Sequence, residues 1–327
     1  MGFLSRKSAT SSAPSPSLPP VSRTFGHPDA IEFARAVADQ RWGDAEGVYS
    51  SCSLVDQGHL ISVASNLGVT SETLDDWVRQ DLGSGVAELT RGATAIVEAW
   101  GVRSGAPVEA VDSSIIDTFH ETLATAEKFL FAAADKMPDS SIPWQHLLTS
   151  GRGLHINRLE MDERYVRHIE LGELLAGHMS FQQLITRKWA GSHDEMWEHA
   201  QWMLNTAPAG SPHLVIVAIA LIEHHIKADV KYENIRQLPG LIGKSEILAA
   251  AAHRSYADPS FDASTPEGAI ALSAWFTLHY VMGNWDLAAN LVPLIGDRFA
   301  NFPMAYFQDS SWAELQQFLN KRLVPVA

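Results

Sequence analysis

Apolar residues return along most of the chain at every third or fourth position. Ile115, Phe119, Leu123, Ala126 and Leu130 are typical, each step landing one turn further along the same face of a helix. Runs that alternate apolar and polar residues, as a half-buried strand requires, are nearly absent. The pattern predicts helices at about 28–40, 43–53, 57–67, 71–82, 86–101, 108–136, 142–154, 160–174, 178–189, 193–205, 212–229, 245–257, 266–282, 285–295 and 311–322. Ser211-Pro212 and Thr265-Pro266 each set a hydroxyl cap before a proline whose missing N–H would be unpaired in a first helical turn anyway. Connectors as short as Met282-Gly283-Asn284 return the next helix antiparallel to the last. The expected fold class is therefore all-α: stacked antiparallel helical hairpins forming a short α-solenoid. The run 214–222 is apolar on every side and belongs in the middle of that stack.

A local phrase recurs as Trp42-Gly-Asp-Ala45, Trp197-Glu-His-Ala200 and Trp285-Asp-Leu-Ala288, at irregular spacing. A large ring one turn before a small residue lets the second helix of a hairpin nest against the first. Residues 1–24 break the pattern. They are rich in Ser and Pro, bury too little to offset their ordering entropy, and read as a disordered tail ahead of a single helical domain over 25–327.

Composition narrows the function. With 24 basic against 38 acidic side chains the formal charge is -14, which argues against binding a nucleic-acid backbone, a task that needs clustered cations. Cys52 is the single cysteine, so neither an intramolecular disulfide nor a four-thiolate zinc site can form, and a reducing, cytoplasmic setting is expected. The longest apolar run, 214–222, is half of the roughly 18 residues that a membrane span takes, so no span is expected.

The densest chemistry lies at 192–199, where SHDEMWEH holds two histidines and three carboxylates. Ser192 and Glu195 fit a capping box, which makes the cluster first of all a helix start. A metal reading would join Glu195 and His199 to Glu223, His224 or His225, yet neither the metalloprotease spacing nor the di-iron one is present, and no metal or other cofactor is expected. Glu223-His224-His225 is read as the place where the apolar helix reaches solvent, the sharper alternative being a buried cluster of Glu223 with Arg or Lys from a neighbouring hairpin. Gly240-Leu-Ile-Gly243-Lys244-Ser245 resembles the end of a phosphate loop but lacks a glycine at Leu238 and a strand before it. Gly243 is better read as a turn and Ser245 as the next helix cap. Cys52 has no partner at a diagnostic spacing and reads as filler.

Several phrases together carry a resemblance: Gly151-Arg152-Gly153-Leu154, the run from Arg187-Lys188-Trp189 to Glu195-Met196, Ala207-Pro208-Ala209-Gly210-Ser211-Pro212, and Ile295-Gly296-Asp297-Arg298 leading to Tyr306-Phe307. On these, the chain from about Pro28 to Arg322 resembles a family of bacterial proteins, tetratricopeptide-like in fold, whose function is uncharacterised. It departs from them at Gly151, often a small apolar residue there, and at Trp197, where a smaller aromatic is usual. The resemblance implies a tetratricopeptide-like solenoid and supplies no reaction, substrate or cofactor.

Arg152, Lys188, Trp189, Glu195 and Glu223 fall on three adjacent predicted hairpins and can converge. Read structurally, they are an internal ion-pair network; read functionally, a groove that grips a partner's carboxylate or peptide. The function expected is a non-catalytic interaction module that holds a protein or peptide in a concave groove, with Trp and Arg as anchors. The alternative is an all-helical enzyme whose pocket is lined by Glu195, His199, Glu223 and His224, with a divalent metal as a possible aid.

Overall fold

The computed structural model describes residues 21–103, 112–189, 191–226, 244–307 and 311–323, and every regular element among them is helical. In chain order these are α1 (Val21–Thr24), α2 (Pro28–Ala38), α3 (Trp42–Ser51), α4 (Leu54–Ala64), α5 (Ser71–Gln80), α6 (Gly85–Arg103), α7 (Ser113–Lys136) and α8 (Ile142–Gly153). There follow α9 (Arg158–Glu170), α10 (Leu175–Leu184), α11 (His193–Thr206), α12 (Ile216–Ile226), α13 (Ser245–Arg254), α14 (Pro266–Val281), α15 (Trp285–Ile295) and α16 (Trp312–Leu323). A 3-10 turn, Pro212–Val215, leads into α12, and another covers Met304–Tyr306.

Side-chain caps set several of the helix starts. The Ser192 hydroxyl accepts from the Glu195 N–H, Thr265 from Gly268, Asn157 from Glu160 and Ser211 from His213, each satisfying a donor that the first turn leaves open. Ser245 departs from expectation: it is the first residue of α13, and the N-cap is Lys244, without a side-chain bond. The stretch expected as helix over 178–189 ends at Leu184. Beyond it Trp189 N–H donates to Thr186 O in a turn, so Lys188 and Trp189 stand on a loop. Residues 1–20 of the expected tail, and positions 240–243 of the phosphate-loop-like phrase, lie outside the described residues. Residue 24 does not belong to a free tail: Thr24 is buried, and its carbonyl lies 3.0 Å from His59 Nε2 on α4.

Ala45, Ala200 and Ala288, which close the three Trp-x-x-Ala phrases, are fully buried. Before Trp42 and Trp285 the chain makes the same turn, with Arg41 N–H to Ala36 O and Asn284 N–H to His279 O across residues of positive φ, Gln40 and Gly283. Trp197 lies inside α11 and has no such turn.

The even-numbered helices from α2 to α14 form one row, each touching the next even-numbered one. Odd-numbered helices pack mainly on their neighbours in sequence. The row also meets itself, because α14 reaches α4, leaving a cavity of about 190 Å³ between α4, α8, α10 and α14. Two hydrophobic cores share the row, and α8 straddles them: Leu147 packs into the first, its neighbour Leu148 into the second. Residues 214–222 are at most 2% exposed, as an all-round apolar run requires, and the non-polar area they remove from water is a large part of the second core. Among the described residues no helix is long and apolar enough to cross a membrane.

Candidate functional site

Two glycines at the end of α8 build the central feature. A Cβ on Gly151 would stand 2.4 Å from Met161 Sδ on α9, and one on Gly153 would stand 2.4 Å from Leu123 and 2.9 Å from Phe119 on α7. Bare backbone there lets α8 press against both neighbours. Arg152, between them, projects into the space that remains. Its guanidinium lies over the rings of Trp100, on α6, and Trp189, 5.3 Å from each ring centre, and the two indoles meet edge to face at 5.7 Å. Arg103, one turn after Trp100, also stands over Trp100 and Trp189, at 5.5 and 5.8 Å.

Arg152 has lost most of its water, and burial pulls its pKa down to about 10, an effect that Tyr306 and Glu223 partly offset. Among the described residues no carboxylate lies within ion-pair distance of it, and its Nε is buried without an acceptor. Trp100 Nε1 is also a buried donor without a partner. Arg152, Trp189, His155 and Arg158 line a cavity of about 140 Å³ at the junction of α8, α9 and the loop after α10.

Lys188 and Glu223 complete the neighbourhood. Lys188 Nζ is 2.8 Å from Glu223 Oε2 and 3.3 Å from the Tyr306 hydroxyl, and it stands 5.0 Å above the Tyr306 ring. Glu223 Oε1 accepts from the Gln183 amide. The Tyr306 phenol is pushed well above its ordinary range, by burial first and then by Glu223. The Glu223 side chain is 1% exposed, so the end of α12 does not reach solvent there as expected; Glu223 belongs to a buried polar cluster with a lysine from the neighbouring loop.

Four of the five expected site residues, Arg152, Lys188, Trp189 and Glu223, thus come together. Glu195 does not join them. It pairs with Arg158 at 2.6 Å and accepts from the Ser192 hydroxyl, at the rim of the cavity that Arg158 lines. Trp100, Arg103, Gln183 and Tyr306 were not among the expected site residues. The Trp100–Arg103 spacing of three was a usable signal, since residues so spaced share a helix face.

The pocket of the enzyme alternative is not assembled. Glu195 goes to Arg158 and Glu223 to Lys188, while His224 accepts from Trp197 Nε1 at 3.2 Å and lies against His193 with ring centres 4.0 Å apart. His199 is buried elsewhere, with Gln182 at Nδ1 and the Tyr165 hydroxyl 2.7 Å from Nε2. Burial, and then the charge of His178, lowers its pKa to about 3. The Cys52 thiol is pushed up by burial and by Asp29, the reverse of what an activated nucleophile needs.

Compared with protein-family models, with curated proteins and with solved structures, the chain has no significant match.

Proposed function

We propose that this chain is a non-catalytic interaction module, a short tetratricopeptide-like solenoid, that grips a carboxylate of a protein or peptide partner at Arg152. The reading rests on one observation: a largely desolvated guanidinium held between two indoles with no carboxylate within ion-pair distance among the described residues. A buried charge without a partner is costly, and an incoming carboxylate supplies the missing acceptors in the two-pronged geometry that arginine favours. The indole faces hold the guanidinium plane before the ligand arrives, which lowers the ordering cost of binding. Lys188 is already neutralised by Glu223, so its part is to fasten the Trp189 loop to α12.

The solenoid and its family relationship belong to this proposal; the row of even-numbered helices with odd-numbered ones flanking it supports them. With α14 lying on α4, the surface proposed for binding is the cleft of about 140 Å³, sized for one acidic side chain or a chain terminus, in place of a long open groove.

Peptides ending in a free carboxylate, and peptides carrying internal Asp or Glu, titrated against the Trp fluorescence of the full chain, test it. Binding of an acidic peptide is expected, weakened about 10–100-fold by Arg152→Met, as loss of a charged hydrogen bond implies. Affinity that is equal for peptides lacking any carboxylate, or unchanged in Arg152→Met while circular dichroism stays helical, defeats the reading.

A further inference from the structure

A second polar cluster lies apart from the Arg152 cleft, where α10, the loop before it, the 3-10 turn 212–215 and the start of α14 meet. Its hydrogen bonds can be followed proton by proton. The Gln182 amide nitrogen donates to Met196 O, which turns its oxygen toward His199 Nδ1, so that nitrogen carries the proton. His199 Nε2 then accepts from the Tyr165 hydroxyl, whose oxygen lies 2.6 Å from His178 Nδ1 and accepts from it. The other nitrogen of a neutral His178, Nε2, is left with a lone pair, and it points at Glu173 Oε2, 3.1 Å away.

His213 repeats the arrangement. Its Nε2 stands 3.4 Å from Glu267 Oε2, the nearer carboxylate, and in the tautomer that places the proton there Nδ1 carries the lone pair. That nitrogen is buried without a hydrogen-bond partner, in a residue 7% exposed, and stands 3.8 Å from Glu173 Oε1. Two imidazole lone pairs and a carboxylate therefore converge where none of the three brings a proton. A proton on His178 would relieve one contact and leave His213 Nδ1 unmatched. A cation among the three relieves all of them.

The geometry points to a binding site for a divalent transition-metal ion of the zinc class, with Glu173, His178 and His213 as its ligands. One ligand atom from each residue lies within 4.8 Å of the others. A tetrahedral zinc with bonds of about 2.0–2.1 Å sets its ligand atoms about 3.3 Å apart. His178 Nε2 is 3.1 Å from Glu173 Oε2 and His213 Nδ1 is 3.8 Å from Glu173 Oε1, so bringing one carboxylate oxygen to both imidazoles takes a turn of the exposed Glu173 side chain. The outer nitrogen of each imidazole is held from behind, His178 by Tyr165 and His213 by Glu267, as metal-bound imidazoles usually are. Glu267 is itself fixed by the Leu175 N–H at 2.5 Å. The Glu173 side chain is 40% exposed, which provides a way in from solvent. Three protein ligands leave the fourth position to water or a small anion. An ion there ties the loop before α10 to the 3-10 turn, with Glu267 of α14 directly behind it.

Full-length protein stripped with a chelator, then equilibrated separately with zinc and with cobalt and passed through a desalting column, tests the site. One ion per chain by elemental analysis, and the intense visible bands of four-coordinate cobalt, are expected. Glu173→Gln keeps shape at a partly exposed position and is expected to lower affinity more than 100-fold with unchanged circular dichroism. Glu267→Gln, acting through His213, is expected to cost 10–100-fold while the cobalt spectrum keeps its form. His224→Ala, outside the cluster, should bind as the parent does. No stoichiometric ion on the parent chain, or full affinity in both Glu173→Gln and His213→Ala, overturns the assignment; neither result bears on the Arg152 cleft.

Discussion

Around α7 buried cations meet carboxylates: Arg164, 3% exposed at its side chain, holds Glu127 and Glu160 at 2.6 Å, and Arg91 holds Asp75 at 2.7 Å. One helix on, Arg152 meets two ring faces and, among the described residues, no carboxylate within ion-pair distance, and His213 Nδ1 faces Glu173 at 3.8 Å without a hydrogen bond. Both regions bury polar groups at helix junctions, so burial alone does not separate structure from function. The difference lies in what each buried charge or lone pair faces. Arg164, whose Nε also lacks an acceptor, meets two carboxylates and serves as an internal brace, whereas under the two proposals Arg152 and the Glu173–His178–His213 group gain their partners from a ligand.

Acid should split the two regions most widely. Burial holds His146 and His168 at about 4 and His199 at about 3, below the roughly 6.5 of an unfolded histidine. Between those values the unfolded chain binds more protons, so stability falls as pH drops from about 6.5, by up to about 1.4 kcal/mol per pH unit for each histidine, and levels off below the folded values. Together the three exceed any single substitution. Hydrogen exchange near pH 5 should show α9–α11 opening before α6–α7; simultaneous opening would remove the contrast.

Glu127→Ala comes next. It leaves Arg164 buried with only Glu160 and the Leu147 carbonyl, and a loss of about 3–5 kcal/mol in urea unfolding is expected. Glu223→Gln is milder, about 1–3 kcal/mol, because Lys188 is half-buried and keeps Tyr306; a red shift in Trp emission should report the freed Trp189 loop. Arg152→Met should be the smallest change, within about 1 kcal/mol and of either sign, since the substitution removes a charge with no ion-pair partner among the described residues. A loss as large as that of Glu127→Ala would make Arg152 a brace like Arg164.

Helices were legible because their signals are local. Ser192, Asn157 and Thr265 cap where a polar oxygen precedes an apolar period, and the run 214–222 announced its own burial. The site was legible in part. Arg152, Lys188, Trp189 and Glu223 meet as the hairpin order suggested, but Glu195, six residues from Trp189, turns to Arg158; the Trp189 and Gly191 N–H groups both turn back to Thr186 O, so the helical phase of α10 does not carry through to α11. Glu223 looked like the point where a helix enters water, and the loop carrying Lys188 covers it.

The periodicity of consecutive residues, and the turn chemistry between them, determined by themselves that this chain is helical, where most helices begin and which one is wrapped in core. Which polar groups face one another was decided only by packing. His178 and His213 are 35 positions apart on separate elements, and their shared view of Glu173 depends on how α10 crosses the turn that leads into α12. A helix's phase about its axis and its angle to a neighbour are set by side chains distant in sequence, so nothing local encodes that meeting.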